Sequence, residues 1–187
     1  MMMADAVKLH SSGYADIFLK DGICTKKMYG SQLYPDYHKR FYNFIKRKDY
    51  YVKILEIKDS FEYSMEYLDI YSTVDRYLHP DNPNFKNNIQ EDILEDILRV
   101  FLQIQIDCVE FSKTLWKSKT LPAGQYWVHE DVHLLNFVIT KDRKIKLIDI
   151  DSFAIAESPL HFSYIDTFAV LTSRLQDAYD TKRALEA

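Results

Sequence analysis

Between Trp127 and Val138 the sequence reads WVHEDVHLLNFV, which sets His129, Asp131, His133 and Asn136 inside an apolar run. Burying such groups without partners costs a few kcal/mol each, so a use for them is expected. Thirteen positions after Asn136 a second apolar run, IKLIDID, ends in Asp149-Ile150-Asp151. That interval holds two short strands and a turn, and a hairpin of this size brings its two ends together. Asn136 and Asp149 are therefore expected side by side. An amide oxygen next to a carboxylate is the hard-oxygen ligation Mg²⁺ prefers, with waters and phosphate oxygens completing its shell. A rival chemistry starts from His129-x-Asp131-x-His133 alone. On a strand, residues two apart share a face, and such a set could ligate zinc in a metal hydrolase.

The elements that must position these residues follow from periodicity and turn chemistry. In residues 7 to 29, two β-rich runs flank Asp21-Gly22, a pair suited to the positive φ angles of a tight hairpin, and a further turn falls at Ser11-Ser12-Gly13. If Asp21-Gly22 is a two-residue turn, Ile17 pairs with Lys26, and cross-strand partners share a face. The segment SQLYPDYHKRFYNFIKRK reads as one helix, with Phe41, Phe44 and Ile45 at helical spacing and Ser31 or Asp36 as its cap. Two more strands flank a turn near Lys58-Asp59-Ser60. An apolar stripe of Ile93, Ile97, Val100, Phe101, Ile104, Cys108 and Phe111 predicts a long helix over about 89 to 118, after a surface loop rich in Asn and Pro, DNPNFKNN. FVITKDRKIKLIDID predicts a second hairpin turning near Lys141-Asp142-Arg143, and a final helix starts near Ser163 or Tyr164.

At 187 residues, 47% hydrophobic and 28% charged, the composition is that of a globular protein with one folding unit or two small lobes. No apolar run approaches a membrane span, and the start, MMMADAVKLH, shows no secretory pattern. A cytoplasmic protein without a membrane partner is expected. Cys24 and Cys108 lack CxxC spacing and are expected as buried free thiols. A net charge of −4 gives no reason for a nucleic-acid partner, and Lys46-Arg47-Lys48 reads as a solvated helix end.

The pattern H-x-D-x-H-x-x-N, then strand, turn, strand and Ile148-Asp149, resembles the catalytic loop and metal-binding aspartate of the protein-kinase-like superfamily. The histidine two after the aspartate is similar to the aminoglycoside and choline kinase branch. The resemblance implies an α+β, bilobal protein-kinase-like fold: a small antiparallel β lobe over residues 1–69 and a truncated helical lobe over 70–187. It implies ATP and Mg²⁺ as cofactors and γ-phosphoryl transfer to a hydroxyl-bearing substrate, a small molecule or a protein. By the same resemblance Asp131 is the catalytic base, His133 lies near the transferring phosphoryl group, and Asn136 and Asp149 hold Mg²⁺. His129 packs the loop against Asp149, and Asp166 hydrogen-bonds a central helix back to the catalytic loop. Met65, Glu66 and Leu68 resemble the hinge that reads adenine, Ile17 the apolar residue above it. Ile23-Cys24-Thr25-Lys26 resembles the strand that brings a lysine to the phosphates; Lys26 is preferred over Lys27 on the register given above.

The departures from that pattern are specific. The glycine-rich loop aligns with LHSSGYA, which keeps the aromatic and none of the three usual glycines. The first helix contains no glutamate, so either Asp36 pairs with the strand lysine or the lysine has no orienting partner. Asp149-Ile150-Asp151 replaces D-F-G, and nothing between Asp151 and Asp166 resembles A-P-E. A catalytically weak pseudokinase, acting as a nucleotide-binding or interaction module, is the alternative these departures favour.

Overall fold

The fold is that of a computed structural model and is described for residues 6–29, 33–82 and 90–186. It is mixed α and β, with antiparallel sheets. Strands β1 (Val7–Ser11), β2 (Ala15–Lys20), β3 (Ile23–Met28), β4 (Ile54–Ile57) and β5 (Glu62–Glu66) form a five-stranded sheet in the order β1-β2-β3-β5-β4. The turn between β2 and β3 is the expected two-residue one: Asp21 has φ 51° and Gly22 φ 76°, the left-handed pair whose twist matches a hairpin. Ile17 accordingly stands opposite Lys26.

Helix α1 spans Pro35–Ile45 and turns His38, Phe41, Tyr42 and Ile45 inward at three- and four-residue steps. Its capping departs from expectation. Ser31 lies outside the described residues, and Asp36 sits within the first turn while Tyr34 occupies the cap position without a side-chain bond. Pro35 needs none, because its missing N–H is one of the donors a helix start leaves unpaired. The long helix α3 (Glu91–Lys117) follows a short α2 (Val74–Tyr77), and the stripe from Ile93 to Phe111 is buried as its periodicity predicts. Most of the Asn- and Pro-rich loop before it lies outside the described residues.

The second hairpin, β8 (Phe137–Thr140) and β9 (Ile145–Leu147), turns with Arg143 at φ 65° and is joined by β6 (Ile70–Thr73) into a three-stranded sheet. A two-stranded ribbon pairs β7 (Tyr126–His129) with β10 (Phe153–Ala156), so that His129 faces Phe153. Helix α4 covers Phe162–Glu186. The sequence reading does not contain β6, β7 or β10. Each is four residues long, and β7 is almost wholly buried, so neither alternation nor helical spacing marks it.

The two halves of the chain are stitched together. Leu147 N–H donates to Tyr50 O and Val52 N–H to Leu147 O, both at 2.9 Å, which ties the segment between α1 and β4 to the edge of β9. Nearby, the fully buried carboxylate of Asp107 on α3 accepts from Lys48 (2.6 Å), Tyr50 (2.8 Å), Tyr51 (3.2 Å) and Gln103 (3.1 Å). Lys48 is thus turned inward, a correction to the reading of Lys46-Arg47-Lys48 as a solvated end; only Lys46 and Arg47 are exposed. Cys24 and Cys108 are buried free thiols, as expected. Among the described residues no helix is long and apolar enough to cross a membrane.

His38 is wholly buried, edge-on to Trp127 at 4.9 Å, with Nδ1 3.1 Å from the Tyr34 N–H. Burial pushes its imidazole down to about 4 from the ordinary 6.5. A folded value below the unfolded one means that this site's contribution to stability is complete above pH 6.5 and is lost as pH falls toward 4. In imidazole ¹⁵N spectra His38 is expected to stay neutral at pH 5.5, and the stability gap between wild type and His38→Phe to narrow over that window. An imidazolium signal at pH 6 would refute the burial account.

Candidate active site

The residues flagged in the sequence converge from three elements. The Ile148 N–H donates to Asn136 O at 2.9 Å, which closes the β8–β9 hairpin at its open end. The Asn136 Nδ2 thereby comes within 3.5 Å of Asp149 Oδ2, the proximity expected from their spacing. Asn136 is oriented from the other side, where Nδ2 donates to Asp131 O at 2.9 Å. With the amide nitrogen committed to a backbone carbonyl, its Oδ1 is the atom left for a ligand.

Asp131 follows β7 on a loop and is more than half exposed. The Nε2 of His133 lies 3.3 Å from Asp131 Oδ2 and 3.2 Å from Asn136 Nδ2, so it can donate to the first when protonated or accept from the second when not. His129 is buried: Nε2 meets Asp149 O at 2.7 Å, Nδ1 accepts from the Asp131 N–H at 3.2 Å, and the ring packs edge-on against Phe153. Both ring nitrogens are spent on backbone, which removes His129 from the zinc set that the His-x-Asp-x-His spacing offered. The loop after β7 also breaks the alternation that would have put the three residues on one face.

From the five-stranded sheet, Lys26 extends to this group. Its Nζ donates to Asp149 Oδ1 at 2.6 Å and to both oxygens of Asp151, at 2.7 and 3.0 Å. Burial works against the ammonium, but Asp151 and Asp149 outweigh it and raise its pKa. Burial likewise opposes ionisation of Asp149, yet Lys26 holds that carboxyl below its ordinary value, while burial and repulsion from Asp149 push Asp151 up to about 6. Lys27 points the other way, toward Glu62 at 3.5 Å and over the Phe18 ring.

Two expectations need correction here. Asp36 is exposed at the start of α1, and the lysine does have acidic partners, both on the loop after β9. Asp166 is exposed on α4; this helix is bonded to the Asp131 loop instead by Thr167, whose Oγ1 donates to Val132 O at 2.6 Å, and by Ser163, whose Oγ accepts from the Val132 N–H at 3.4 Å. The Glu66 side chain pairs with Lys146 at 2.5 Å and accepts from the Lys53 N–H at 3.0 Å, and its own N–H donates to Lys53 O at 2.9 Å. Met65 is buried opposite Cys24 on β3, and Leu68, just past the strand end, packs partly against the core.

The turn between β1 and β2 satisfies itself. Ser12 Oγ accepts from Tyr14 N–H at 3.2 Å and Ala15 N–H at 3.0 Å, so these amides are taken, in keeping with a segment that lacks the three usual loop glycines.

The sequence reading gave no role to Tyr63, Tyr42 or Thr167. Tyr63 is fully buried and donates to Asp151 Oδ1 at 2.6 Å; Tyr42 donates to Ile150 O at 3.1 Å. A tyrosine directly across the ladder from Lys26 was the one available signal.

Among the described residues no group of three or more His, Cys, Asp or Glu is placed to hold a metal unaided. The donor set present is one ionised carboxylate, Asp149, and one free amide oxygen, on Asn136. That set fits Mg²⁺, which keeps several waters and takes one or two protein ligands together with phosphate oxygens. Compared with protein-family models and with curated proteins, the chain matches none.

Proposed function

We propose that the protein is a phosphotransferase of bilobal, protein-kinase-like build, transferring the γ-phosphoryl group of ATP to a hydroxyl of a small molecule or a protein. The observation that carries this reading is a juxtaposition. Asn136 and Asp149 meet at the end of the β8–β9 hairpin beside the Asp131 loop, and Lys26 reaches them from the opposing sheet at 2.6 Å. The strand order β1-β2-β3-β5-β4, with one helix between β3 and β4, supports it at the level of fold.

In this reading Asp131 orients the acceptor hydroxyl and takes its proton; its exposure leaves it open to a substrate. His133, against Asp131, provides hydrogen bonding at the phosphoryl side. Asn136 and Asp149 hold Mg²⁺, which when bound with the nucleotide offsets phosphate charge. Lys26 moves from Asp149 to the phosphates and keeps Asp151. The backbone of residues 66–68 lies against the adenine edge and Ile17 over its face. Phosphoryl transfer depends mostly on positioning and electrostatics, so the self-satisfied β1–β2 turn weakens phosphate binding without removing the reaction. Two buried, unpaired thiols fit a reducing compartment such as the cytoplasm.

The self-bonded turn also favours a second reading, a nucleotide-binding module without turnover. One experiment separates them. ATP with Mg²⁺ at about a hundred times Kd stabilises by about 2.7 kcal/mol, a rise in Tm of roughly 5 to 10 °C for a chain of this size. Label transfer from γ-³²P-ATP to fractionated protein and metabolite pools is then expected. No shift would sink the nucleotide reading altogether; a shift without transfer would leave the module; a shift with metal alone would revive a hydrolase. In Asp149→Asn the extra stabilisation by Mg²⁺ should disappear while binding of metal-free ATP persists, as calorimetry with and without EDTA would show.

A further inference from the structure

The first helix offers Lys26 no acid, yet the lysine is held at three points, which asks what sets its position. We infer that Asp151 is the positioning residue for Lys26, a carboxylate supplied by the metal-site loop in place of one on helix α1. The proposal rests on the phosphotransferase reading for its catalytic consequence and on geometry alone for the hold itself.

Four observations carry it. Asp151 is buried and grips Nζ with both oxygens, at 2.7 and 3.0 Å, so the contact fixes direction as well as distance. Tyr63 is the cross-strand partner of Lys26 and donates to Asp151 Oδ1 at 2.6 Å, so two neighbours on one sheet face converge on a single carboxylate. Tyr42 of α1 clamps the Ile150 carbonyl at 3.1 Å, so the helix holds the loop by its backbone rather than the lysine by a side chain. Asp36, the acid in the first turn of that helix, is exposed.

Charge explains why two acids are needed. Asp149 and Asp151 share one ammonium, leaving the buried group with one carboxylate in excess. When Asp149 turns to a cation, Asp151 with its Tyr63 donor still holds the lysine at the cleft. A lysine with Asp149 as its only partner would lose its anchor at that moment. Because both anchors lie two residues apart on one loop, assembly of the site does not wait on a movement of α1, whose His38, Phe41, Tyr42 and Ile45 are locked in the core.

The test reads Lys26 directly. In the free protein, acylation of Lys26 by an N-hydroxysuccinimide ester, followed by peptide mass spectrometry, is expected to be slow in wild type and in Asp36→Asn. It should be several-fold faster in Asp151→Asn, because the ammonium then keeps Asp149 as its one charged anchor and loses the two-oxygen grip that fixes its direction. Tyr63→Phe, which removes only the hydroxyl, should give an intermediate rate and guards against misfolding of Asp151→Asn. With ATP and Mg²⁺, Asp151→Asn is expected to lose about 10- to 100-fold in kcat with a smaller change in KM, the range seen when a group that orients a ligand from behind is removed. Asp151→Glu, which keeps the charge, should recover part of it. Lys26 acylation unchanged in both Asp151→Asn and Tyr63→Phe overturns the proposal, as does loss of turnover in Asp36→Asn equal to that in Asp151→Asn. Failure of wild type to bind ATP would overturn the phosphotransferase reading and with it the catalytic half of the inference, while the acylation rates would still decide what holds Lys26.

Discussion

Replacing Asp131 with asparagine is expected to lower kcat by about 10² to 10⁴, the span a general base typically contributes, with affinity for ATP and Mg²⁺ unchanged. The structure isolates this carboxylate from other duties. Its side chain is 57% exposed, and among the described residues the basic group beside it is the His133 imidazole, with Nε2 at 3.3 Å. The loop is shaped by backbone bonds, Asp131 N–H to His129 Nδ1 and Asn136 Nδ2 to Asp131 O, which asparagine preserves. The thermal midpoint should therefore stay where it is, and the loss should fall on kcat. Measuring kcat, KM for ATP and the melting curve on the same preparation checks this. Turnover within a factor of two or three of wild type would remove Asp131 from the chemistry; a parallel rise in KM for ATP would move it to nucleotide binding.

The second large effect concerns stability. Phe41→Ala is expected to cost about 3 to 5 kcal/mol, the range for deleting a buried phenyl ring and leaving a cavity. Phe41 is fully buried at the junction of α1, α3, β7 and β10. Its ring lies 5.1 Å from Phe111, 5.9 Å from Tyr51, 6.0 Å from Trp127 and 4.6 Å from Phe153, centroid to centroid. Phe153 touches His129, which holds the Asp149 carbonyl, so the aromatic cluster is also the floor of the candidate site. Urea titration should show the loss as a lower midpoint at unchanged slope. A cost under about 1 kcal/mol would mean that α1 is loosely held, and would undercut the account of a helix that clamps the loop of Asp149 to Asp151 through Tyr42.

Several features were legible because their causes lie within a dozen residues. Asp21-Gly22 admits few turns, and that turn set Ile17 opposite Lys26 and so chose Lys26 over Lys27. Helical spacing from Ile93 to Phe111 marked α3 because a long amphipathic stripe has one compact solution. The interval from Asn136 to Asp149 carried their proximity, since a hairpin of two short strands can hardly end elsewhere.

Other features were hidden for an equally physical reason. The short strands β7 and β10 are defined by pairing with each other across more than twenty residues, and nothing local marks them. Thr167 and Asp166 are neighbours on one helix, and which of them meets the Val132 carbonyl depends on how α4 is rotated against the loop.

The sequence by itself determined the hairpin registers, the long helix and the pairing of an amide with an acid, because turn stereochemistry and periodicity act over a few residues. Only the tertiary structure decided which acid Lys26 meets, since Asp151 stands 125 positions away and competes with Asp36 on equal chemical terms. Burial and the crossing of the sheet over the loop broke that tie, and these belong to the whole fold.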